Sequence, residues 1–447
     1  MIYDNLRKFY ELGSTRDYNF RKKSLIKLRD EIIKHRDEIN KALYKDLGKS
    51  VFEAEMSEVS YSLSEISYLI KNLKNLIKDR EVNTSIINFK SRSYIKHEPH
   101  GLVLIISPWN YPFHLSIVPL AASIAAGNVT VLKTSSSSPN TSDIIEKIIK
   151  NIFPEEYIKV EKGGPGVNEK VMSEKYDFLF FTGGKVAGRE VYIKAAENLT
   201  PTVLELGGQS PCIVDNCNLK IAANRIIWGK FLNCGQTCVA VDYILIKSEL
   251  YEQLLTELKR ALREFYGEDP INSEDYGKII NEKEYDRLIN LLQEENQDIK
   301  AIREERKIAP YFIKANWSSP CMKEEIFGPI LPIITYDNID EVIDEINKRD
   351  TPLATYVFTN NKKFAKKVTE RIAFGGGCVN DTLAHISNHE LPFGGNGESG
   401  FGRYHGKYSF YTFSREKSIL NKSFFPEITL RYPPGKKKVN IVKKLLK

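Results

Sequence analysis

Between residues 101 and 207 the chain repeats one device, a short and nearly unbroken apolar run followed by a helix-length segment. The runs are "GLVLIIS" (101–107), "VTVLK" (129–133), "YIKV" (157–160), "DFLFF" (177–181) and "TVLEL" (202–206). A strand with one wet face alternates apolar and polar residues, whereas a strand buried on both faces does not. Unbroken runs spaced by helices therefore call for a parallel sheet covered on both sides, a doubly wound α/β sheet. The intervening segments agree: "PLAASIAAG" (119–127) reads as a small-residue helix closed by Gly127, and residues 141–152 as a second helix.

Ahead of this unit, Leu25, Leu28, Ile32, Ile39 and Leu43 recur at helical spacing and predict one amphipathic helix over 18–46. A second helix, over 56–79, carries Tyr61, Leu63, Ile66, Leu69, Ile70, Leu73 and Ile77. After "LGG" (206–208) another α/β series starts. It holds a helix over 218–232, the strand "YILIK" (243–247), a helix over 249–266 and a glycine-rich block over 374–402. The stretch "FKSRSYIKHEP" (89–99) has the texture of a hairpin arm. Neither a fixed-period repeat nor a long linker separates the two series, so they are expected to interlock.

Composition removes several function classes. At 447 residues, 42% hydrophobic and 28% charged, the chain can bury two or three cores. Its six cysteines are scattered, which argues against a disulfide framework and for a reducing compartment. The first residues, "MIYDNLRKFYELG", lack the apolar segment of a signal peptide. No run approaches the roughly 18 residues of a spanning helix, so a cytoplasmic protein is expected. The net charge of +7 is diffuse and does not indicate nucleic acid. Its local concentration is the tail "GKKKVNIVKKLLK" (435–447), with lysines around Val439, Ile441, Val442, Leu445 and Leu446. The tail reads as a solvated face packed on its own domain, with peripheral contact to an anionic membrane as the alternative.

Chemistry-bearing residues fall at the carboxyl ends of the apolar runs, where doubly wound sheets bind ligands. The G-x-G-x-x-G fingerprint is absent. After "DFLFF" stands Thr182-Gly183-Gly184-Lys185-Val186-Ala187-Gly188, whose glycines would let backbone approach a phosphate and whose lysine adds charge. A plain strand–helix turn fits the same residues. Lys133 ends "VTVLK" and reads as a ligand contact or as a surface charge. Asn110 follows "LVLIISPW" as an oxyanion donor or a turn former. Glu205 ends an apolar strand before Gly207-Gly208; a carboxylate there is ion-paired or carries the raised pKa that suits a general base. In "FLNCGQTCVA" (231–240) two cysteines stand four residues apart, and a cysteine is inert unless its surroundings activate it. No second pair of ligands stands at finger spacing and the histidines do not cluster with these cysteines, so no metal is expected. His385 and His389 are spaced i, i+4 but lack the glutamate of H-E-x-x-H.

The motifs "SPWNYP" (107–112), "FTGG" (181–184), "LELGG" (204–208), "GQTC" (235–238), "EEIFGP" (324–329) and "PFGGNGESGFGRYHGKYSF" (392–410) resemble the aldehyde dehydrogenase superfamily. They stand in that family's order and cover roughly residues 18–434. The short chain, "WGKFLNCGQTCVAVDY" and "RYPP" resemble its class 3 subgroup, which acts on medium- and long-chain aliphatic and on aromatic aldehydes. The resemblance implies a Rossmann-like cofactor domain (1–84 and 100–207), an α/β catalytic domain (208–413), and a small β bridging arm with the tail (85–99 and 414–447). It also implies NAD or NADP as cofactor, and a homodimer whose arms complete the partner's sheet.

Residue by residue, Cys238 matches the nucleophile that adds to the aldehyde to give a thiohemiacetal and then a thioester. Asn110, with the Cys238 N–H, matches the oxyanion donors, and Glu205 the base that activates the thiol or the hydrolytic water. Glu325 and Phe327 match the residues that place the nicotinamide ribose and ring. Phe393 of "PFGG" joins the cofactor contacts. Thr182, Gly183, Gly184 and Gly188 match the phosphate turn, and Lys133 the adenosine ribose contact. Tyr61 and Trp228 fall where aromatic residues line the aldehyde pocket, although core packing explains them equally.

Three positions depart from the family. Gly184-Lys185 replaces Ser-Thr, which trades a hydroxyl for a cation. Gln209 replaces the lysine after "LELGG". Ser136, within "KTSSSS" (133–138), replaces a glutamate that would bind the 2′-hydroxyl of NAD and repel a 2′-phosphate, so NADP is expected at least to be tolerated. Two other readings stay open: a CoA-acylating aldehyde dehydrogenase or acyl reductase, which has less use for Glu205, and a non-catalytic metal- or nucleic-acid-binding protein. Cys234, one helical turn from Cys238, is expected to pack as a small apolar residue that oxidation could tie to Cys238.

Overall fold

The structure is a computed structural model and describes residues 3–427 and 429–445. Two strands, β1 (Arg80–Val82) and β2 (Ser91–Pro99), precede the five apolar runs. The runs form β3 (Leu102–Ile106), β4 (Val129–Lys133), β5 (Ile158–Glu161), β6 (Phe178–Thr182) and β7 (Thr202–Glu205). The second series gives β8 (Pro211–Val214), β9 (Tyr243–Lys247) and a short hairpin of β10 (Ala301–Ile302) and β11 (Lys307–Ile308). It continues with β12 (Tyr311–Lys314), β13 (Ile330–Tyr336), β14 (Ala354–Phe358) and β15 (Gly376–Val379). β16 (Gly400–Phe401) and β17 (Ser414–Lys422) follow.

The first large sheet runs β16-β7-β6-β3-β4-β5, with β3 to β7 parallel to their neighbours. The second runs β12-β13-β9-β8-β14-β15 and is parallel throughout. β4 and β14 are buried along their whole length and β3 along all but its last residue, so their sequences have no reason to alternate. In the first sheet the chain order reverses at β3, with β4 and β5 to one side and β6 and β7 to the other. The carboxyl ends of β3 and β6 therefore flank the crevice where a doubly wound sheet takes its ligand. Those ends carry Asn110 and the turn at Thr182, Gly183 and Gly184. A doubly wound sheet joined to a second α/β unit is the fold the sequence leads one to expect.

Several local expectations differ. The helix expected over 18–46 is two helices, Tyr18–Lys34 and Arg36–Leu47. His35 leaves the helical basin (φ −101°, ψ 16°) with its Nδ1 3.0 Å from Glu31 O, and Asp37 and Glu38 favour a fresh helix N-terminus just after it. The helix expected over 56–79 begins with a π-helical turn, Glu55–Val59, before Ser60–Leu76. Residues 400–413, grouped with the catalytic unit, lie on the first sheet instead. β16 pairs antiparallel with β7, and the helix Gly406–Thr412 packs on the helices Ser60–Leu76 and His114–Ala126. The arm starts at Arg80 rather than at 85, because β1 pairs with β2, and β2 pairs with β17 from Ser91↔Lys422 to Pro99↔Ser414.

The tail helix Val439–Leu445 leaves Val439 and Ile441 half exposed, so these two do not pack on the body as expected. Leu446, the tail's last apolar residue, lies outside the described residues. No helix among the described residues is long and apolar enough to cross a membrane.

Candidate active site

The loop that carries Cys238 is shaped by a backbone conformation that residue spacing does not announce. After the helix Leu219–Phe231, the residues Asn233, Cys234 and Gly235 have φ of 54°, 52° and 77°, three left-handed residues in a row. Asn and Gly adopt this region readily, whereas Cys pays about 1 kcal/mol for it. The surroundings hold the turn. Asn233 N donates to Glu53 Oε1 (2.8 Å), and Asn233 Nδ2 donates to Asn110 O (2.8 Å) and Gln236 O (3.1 Å). Gln236 Nε2 donates to Lys278 O (3.0 Å), and Gln236 Oε1 accepts from Ile280 N (3.0 Å). At Gly235 any Cβ would overlap Gly328 O.

The turn sends the two cysteines to different surroundings. Cys234 is buried beside Tyr276 and Gly277, where burial and then the Glu53 charge push its thiol pKa up. Cys238 is half-buried and faces Glu325 and Glu205. The helical-turn relation expected between the two thiols is thus replaced by a left-handed turn.

β3 delivers Asn110 to the same loop. Asn110 Nδ2 donates to Gln236 O (3.1 Å), which occupies one of the amide's two N–H groups. Asn110 O accepts from Lys49 Nζ (3.0 Å), and Lys49 is ion-paired with Glu58. The second Glu58 oxygen accepts the N–H groups of Phe113 (2.8 Å) and His114 (3.1 Å). Both Lys49 and Glu58 are fully buried, and such a pair is tolerable only when its remaining hydrogen-bonding capacity is used, as it is here. Sequence reasoning missed this support. Its signal was a lysine just past the first predicted helix and a glutamate in the first turn of the second.

β7 ends on Glu205, whose backbone is clamped from both sides. Glu205 O accepts from Gly183 N (3.0 Å), and Leu206 N donates to Ser399 O (3.2 Å). The Glu205 side chain is 2% exposed, and neither carboxyl oxygen has a hydrogen-bond partner among the described residues. Burial without a compensating donor pushes its pKa well above the carboxylate range. The Cys238 thiol is pushed up by burial and then by the charges of Glu325 and Glu205. Glu325 arrives from the second unit. A Cβ on Gly207 would overlap its carboxylate, and Gly208 N–H donates to it. Burial and then Asp242 push Glu325 up to about 8. A thiol, an amide and two proton-holding carboxyls thus meet at the carboxyl edge of the first sheet, a set able to add to a carbonyl, hold an oxyanion and move a proton.

Residues 8–419 match the aldehyde dehydrogenase family. The chain belongs to this family. It is 45% identical over 452 residues to 4,4'-diaponeurosporen-aldehyde dehydrogenase of Staphylococcus aureus (strain NCTC 8325 / PS 47), which covers 100% of this chain and 98% of that protein. It is 41% identical over 444 residues to the dimeric NADP-preferring aldehyde dehydrogenase of Mus musculus, 98% of each chain. A substrate-bound structure of Staphylococcus aureus AldH superposes with a TM-score of 0.98 at 44% identity, over 100% of this chain and 98% of that one. As an aldehyde dehydrogenase, the chain is an oxidoreductase acting on aldehydes.

In this aldehyde dehydrogenase the cofactor candidates line the crevice between β3 and β6. Thr182 Oγ1 is buried without a partner among the described residues, and Gly184 caps the helix Lys185–Glu197 with open space at its Cβ position. An orphan hydroxyl beside an open helix N-terminus fits a phosphate. Gly183 and Gly188 serve packing, since a Cβ would meet the Phe181 ring and Leu206 respectively, each at 2.6 Å. Lys185 is paired with Asp350, so its charge is already engaged. Lys133 is buried rather than a surface charge, with Nζ donating to Thr134 O (2.7 Å) and Gly163 O (2.8 Å), while Ser136 is exposed.

Phe327 (φ 49°) stands edge-on to Trp109, ring centroids 5.3 Å apart, and Phe393 stacks on His405 at 5.2 Å. Tyr61 donates its hydroxyl proton to Ile386 O and lies 2.9 Å from His405 Nδ1. Trp228 precedes Gly229, over which Thr382 packs. Gln209, whose consequence the sequence did not reveal, donates Nε2 to Met322 O (3.3 Å) and Glu324 O (3.1 Å). With Asp242 Oδ1 accepting from Ile326 N (3.1 Å), it fixes the chain on both sides of Glu325.

Proposed function

We propose that this enzyme oxidises medium- and long-chain aliphatic and aromatic aldehydes to carboxylic acids through a Cys238 thiohemiacetal and thioester, with NAD or NADP as acceptor. The observation that carries the reading is the convergence of Cys238, the Asn110 amide and the unpartnered Glu205 carboxyl at the sheet's ligand crevice. The Cys238 thiol gives its proton to a water molecule, Sγ bonds to the carbonyl carbon, and the carbonyl π pair moves to its oxygen as an oxyanion. Asn110 Nδ2–H and the Cys238 N–H stabilise that oxygen; one such donor is typically worth about 3–4 kcal/mol. Collapse of the oxyanion expels hydride and leaves a thioester. A bound nicotinamide supplies the two-electron acceptor for that hydride. Glu205 then takes a proton from water as it attacks the thioester carbon, and the Cys238 sulfur leaves and is reprotonated.

Thr182 and Gly184 would hold the cofactor's phosphates, Lys133 and Ser136 its adenosine ribose, and Glu325, Phe327 and Phe393 its nicotinamide end, while the Gly183 N–H is already taken by Glu205 O. The crevice fits that cofactor in having an orphan Thr182 hydroxyl and an open helix N-terminus. The exposed Ser136 sets no carboxylate against a 2′-phosphate, and the mouse relative is named NADP-preferring, which supports use of NADP. Initial rates on aldehydes from acetaldehyde to long-chain and aromatic, with each cofactor and with or without CoA, test the reading. The expected result is higher kcat/KM for the larger aldehydes, turnover with both cofactors and no effect of CoA. A requirement for CoA would replace this reading with the acylating one.

The same enzyme is proposed to be a homodimer. β17 lies at the end of the arm's three-stranded sheet, and an unpaired strand edge invites another chain. Leu420, Phe424 and Phe425 on or next to β17, and Val186 and Ile193 on the helix Lys185–Glu197, are exposed. Sedimentation should show a species of twice the chain mass. A single-chain mass at every concentration would exclude the dimer.

A further inference from the structure

One stripe of the helix Ser60–Leu76 grips a single distant segment. Tyr61, Ser64, Glu65 and Tyr68 stand at i, i+3, i+4 and i+7, and their partners lie 322 to 344 residues further along the chain. Tyr61 meets Ile386 O and His405 Nδ1, and Ser64 Oγ lies 3.4 Å from His389 Nε2. Tyr68 stacks on His389, ring centroids 4.7 Å apart, and donates to Glu390 Oε1 (3.1 Å). At the centre, Glu65 is fully buried. Its Oε2 accepts from Gly406 N (3.0 Å), and its Oε1 lies 3.5 Å from His389 Nε2 and 3.8 Å from His405 Nδ1.

The far end of this segment, a strap over residues 382–391, is anchored beside Cys238. Thr382 Oγ1 donates to Arg225 O (2.6 Å) and packs over Gly229, next to Trp228. Tyr356 donates to Val239 O (2.6 Å) and touches both the Leu383 backbone and the surroundings of Cys238. The strap therefore runs from the Trp228 side of the pocket to the Tyr61 side.

We propose that Glu65 is a positioning residue for aldehyde selectivity, holding the strap 382–391 and Tyr61 in place through Gly406 and the facing His389 and His405, with its proton setting how firmly. The inference rests on the reading that Tyr61 and Trp228 flank the aldehyde channel. The charged and titratable groups around Glu65 are Tyr61 and Tyr68 on its own helix, His114 on the helix His114–Ala126, His389 and Glu390 on the strap, and Tyr404, His405 and Lys407 at and before the helix Gly406–Thr412, Tyr404 being buried with its hydroxyl proton held on. Burial pushes His405 down to about 3 and His114 well below the imidazole range, so both are neutral. Glu390 and Lys407 pair with each other (2.7 Å). His389, a quarter exposed, remains as the group that can exchange a proton opposite Glu65.

Burial raises Glu65 to about 7, against the pull of the Gly406 N–H. Below that pH the carboxyl keeps its proton, and its unpartnered Oε1 sets no charge against the His389 and His405 rings. Above it, a bare carboxylate is buried against neutral rings and the strap loosens.

The test is KM for a long-chain or aromatic aldehyde, divided by KM for acetaldehyde, followed from about pH 6 to about pH 9. In the unaltered enzyme this ratio should rise several-fold, on the order of 3- to 10-fold, while the cofactor KM stays level. Glu65→Gln keeps an acceptor for Gly406 but does not titrate, so its ratio should stay flat across that range. Glu65→Ala should show the high ratio at every pH. Should either variant fail to fold, His389→Ala, at a part-exposed position, should likewise show the high ratio throughout. A Glu65→Gln profile that follows the unaltered enzyme, or an unaltered enzyme whose ratio ignores pH, overturns the proposal. An enzyme that oxidises no aldehyde overturns the functional reading beneath it instead.

Discussion

Replacing Cys238 with serine should lower aldehyde oxidation by on the order of 10⁴-fold or more while leaving cofactor affinity within about twofold. The expectation follows from the atoms involved. Oxidation needs a group that bonds to the carbonyl carbon and later leaves from an acyl compound, and sulfur does both where a hydroxyl does neither well. The site does not lower the thiol's pKa in advance. Burial and the facing acids Glu325 and Glu205 keep its proton on. Cys238 therefore depends on a base at the moment of attack, and a serine in its place, with a far weaker acid to deprotonate, would depend on it more. Steady-state rates with a fluorescence titration of NADPH against the same preparation make the measurement. Near-normal turnover by Cys238→Ser would sink the mechanism, and lost cofactor binding would mean that the substitution had damaged the fold.

Nothing within "FLNCGQTCVA" separates Cys238 from Cys234, and the reason is geometric. The residues at 233–235 turn left-handed, and the Cys234 between Asn233 and Gly235 gives no sign of it in the sequence. What holds the turn comes from far away: Glu53 is 180 residues from Asn233, and Asn110 is 126 residues from Gln236. Residue types are legible in a sequence, but such partners are not.

The same distinction runs through the fold. β3, β4, β6 and β7 could be read because burial on both faces writes itself as nearly unbroken apolar residues, whereas β5 at the sheet edge, IKVE, is buried only at its ends. In the second sheet β9 could be read the same way, whereas Pro211 opens β8, Pro332 interrupts β13 and two glycines open β15. The break at His35 carries no proline or glycine to mark it. Asn110, Glu205 and Glu325 came from motif order, and the structure supplies what motif order lacks. Lys49 and Glu58 hold Asn110, while Gly207, Gly208 and Gln209 hold Glu325.

Glu205→Gln should give one fast burst of reduced cofactor, close to one equivalent per active site, followed by turnover reduced by about 10²- to 10⁴-fold. Glutamine has nearly the size and shape of glutamate, yet it cannot take a proton from water. The thioester therefore forms and waits. The pH dependence separates this from a general loss of activity. Because burial raises the Glu205 pKa, the residue holds its proton at low pH and becomes a base only as pH rises, so the hydrolytic rate of the unaltered enzyme climbs with pH and the variant's does not. Stability moves the other way. A carboxyl whose pKa is raised in the folded state contributes stability below its unfolded pKa and loses it as pH rises through its folded one. The variant should accordingly melt at or above the temperature of the unaltered enzyme at neutral pH, so that slow turnover cannot be put down to unfolding. Stopped-flow absorbance of the reduced cofactor, with melting curves at two pH values, decides between outcomes. If burst and steady state are lost together, Glu205 acts first on the Cys238 thiol. If neither changes, some other group moves the proton from water.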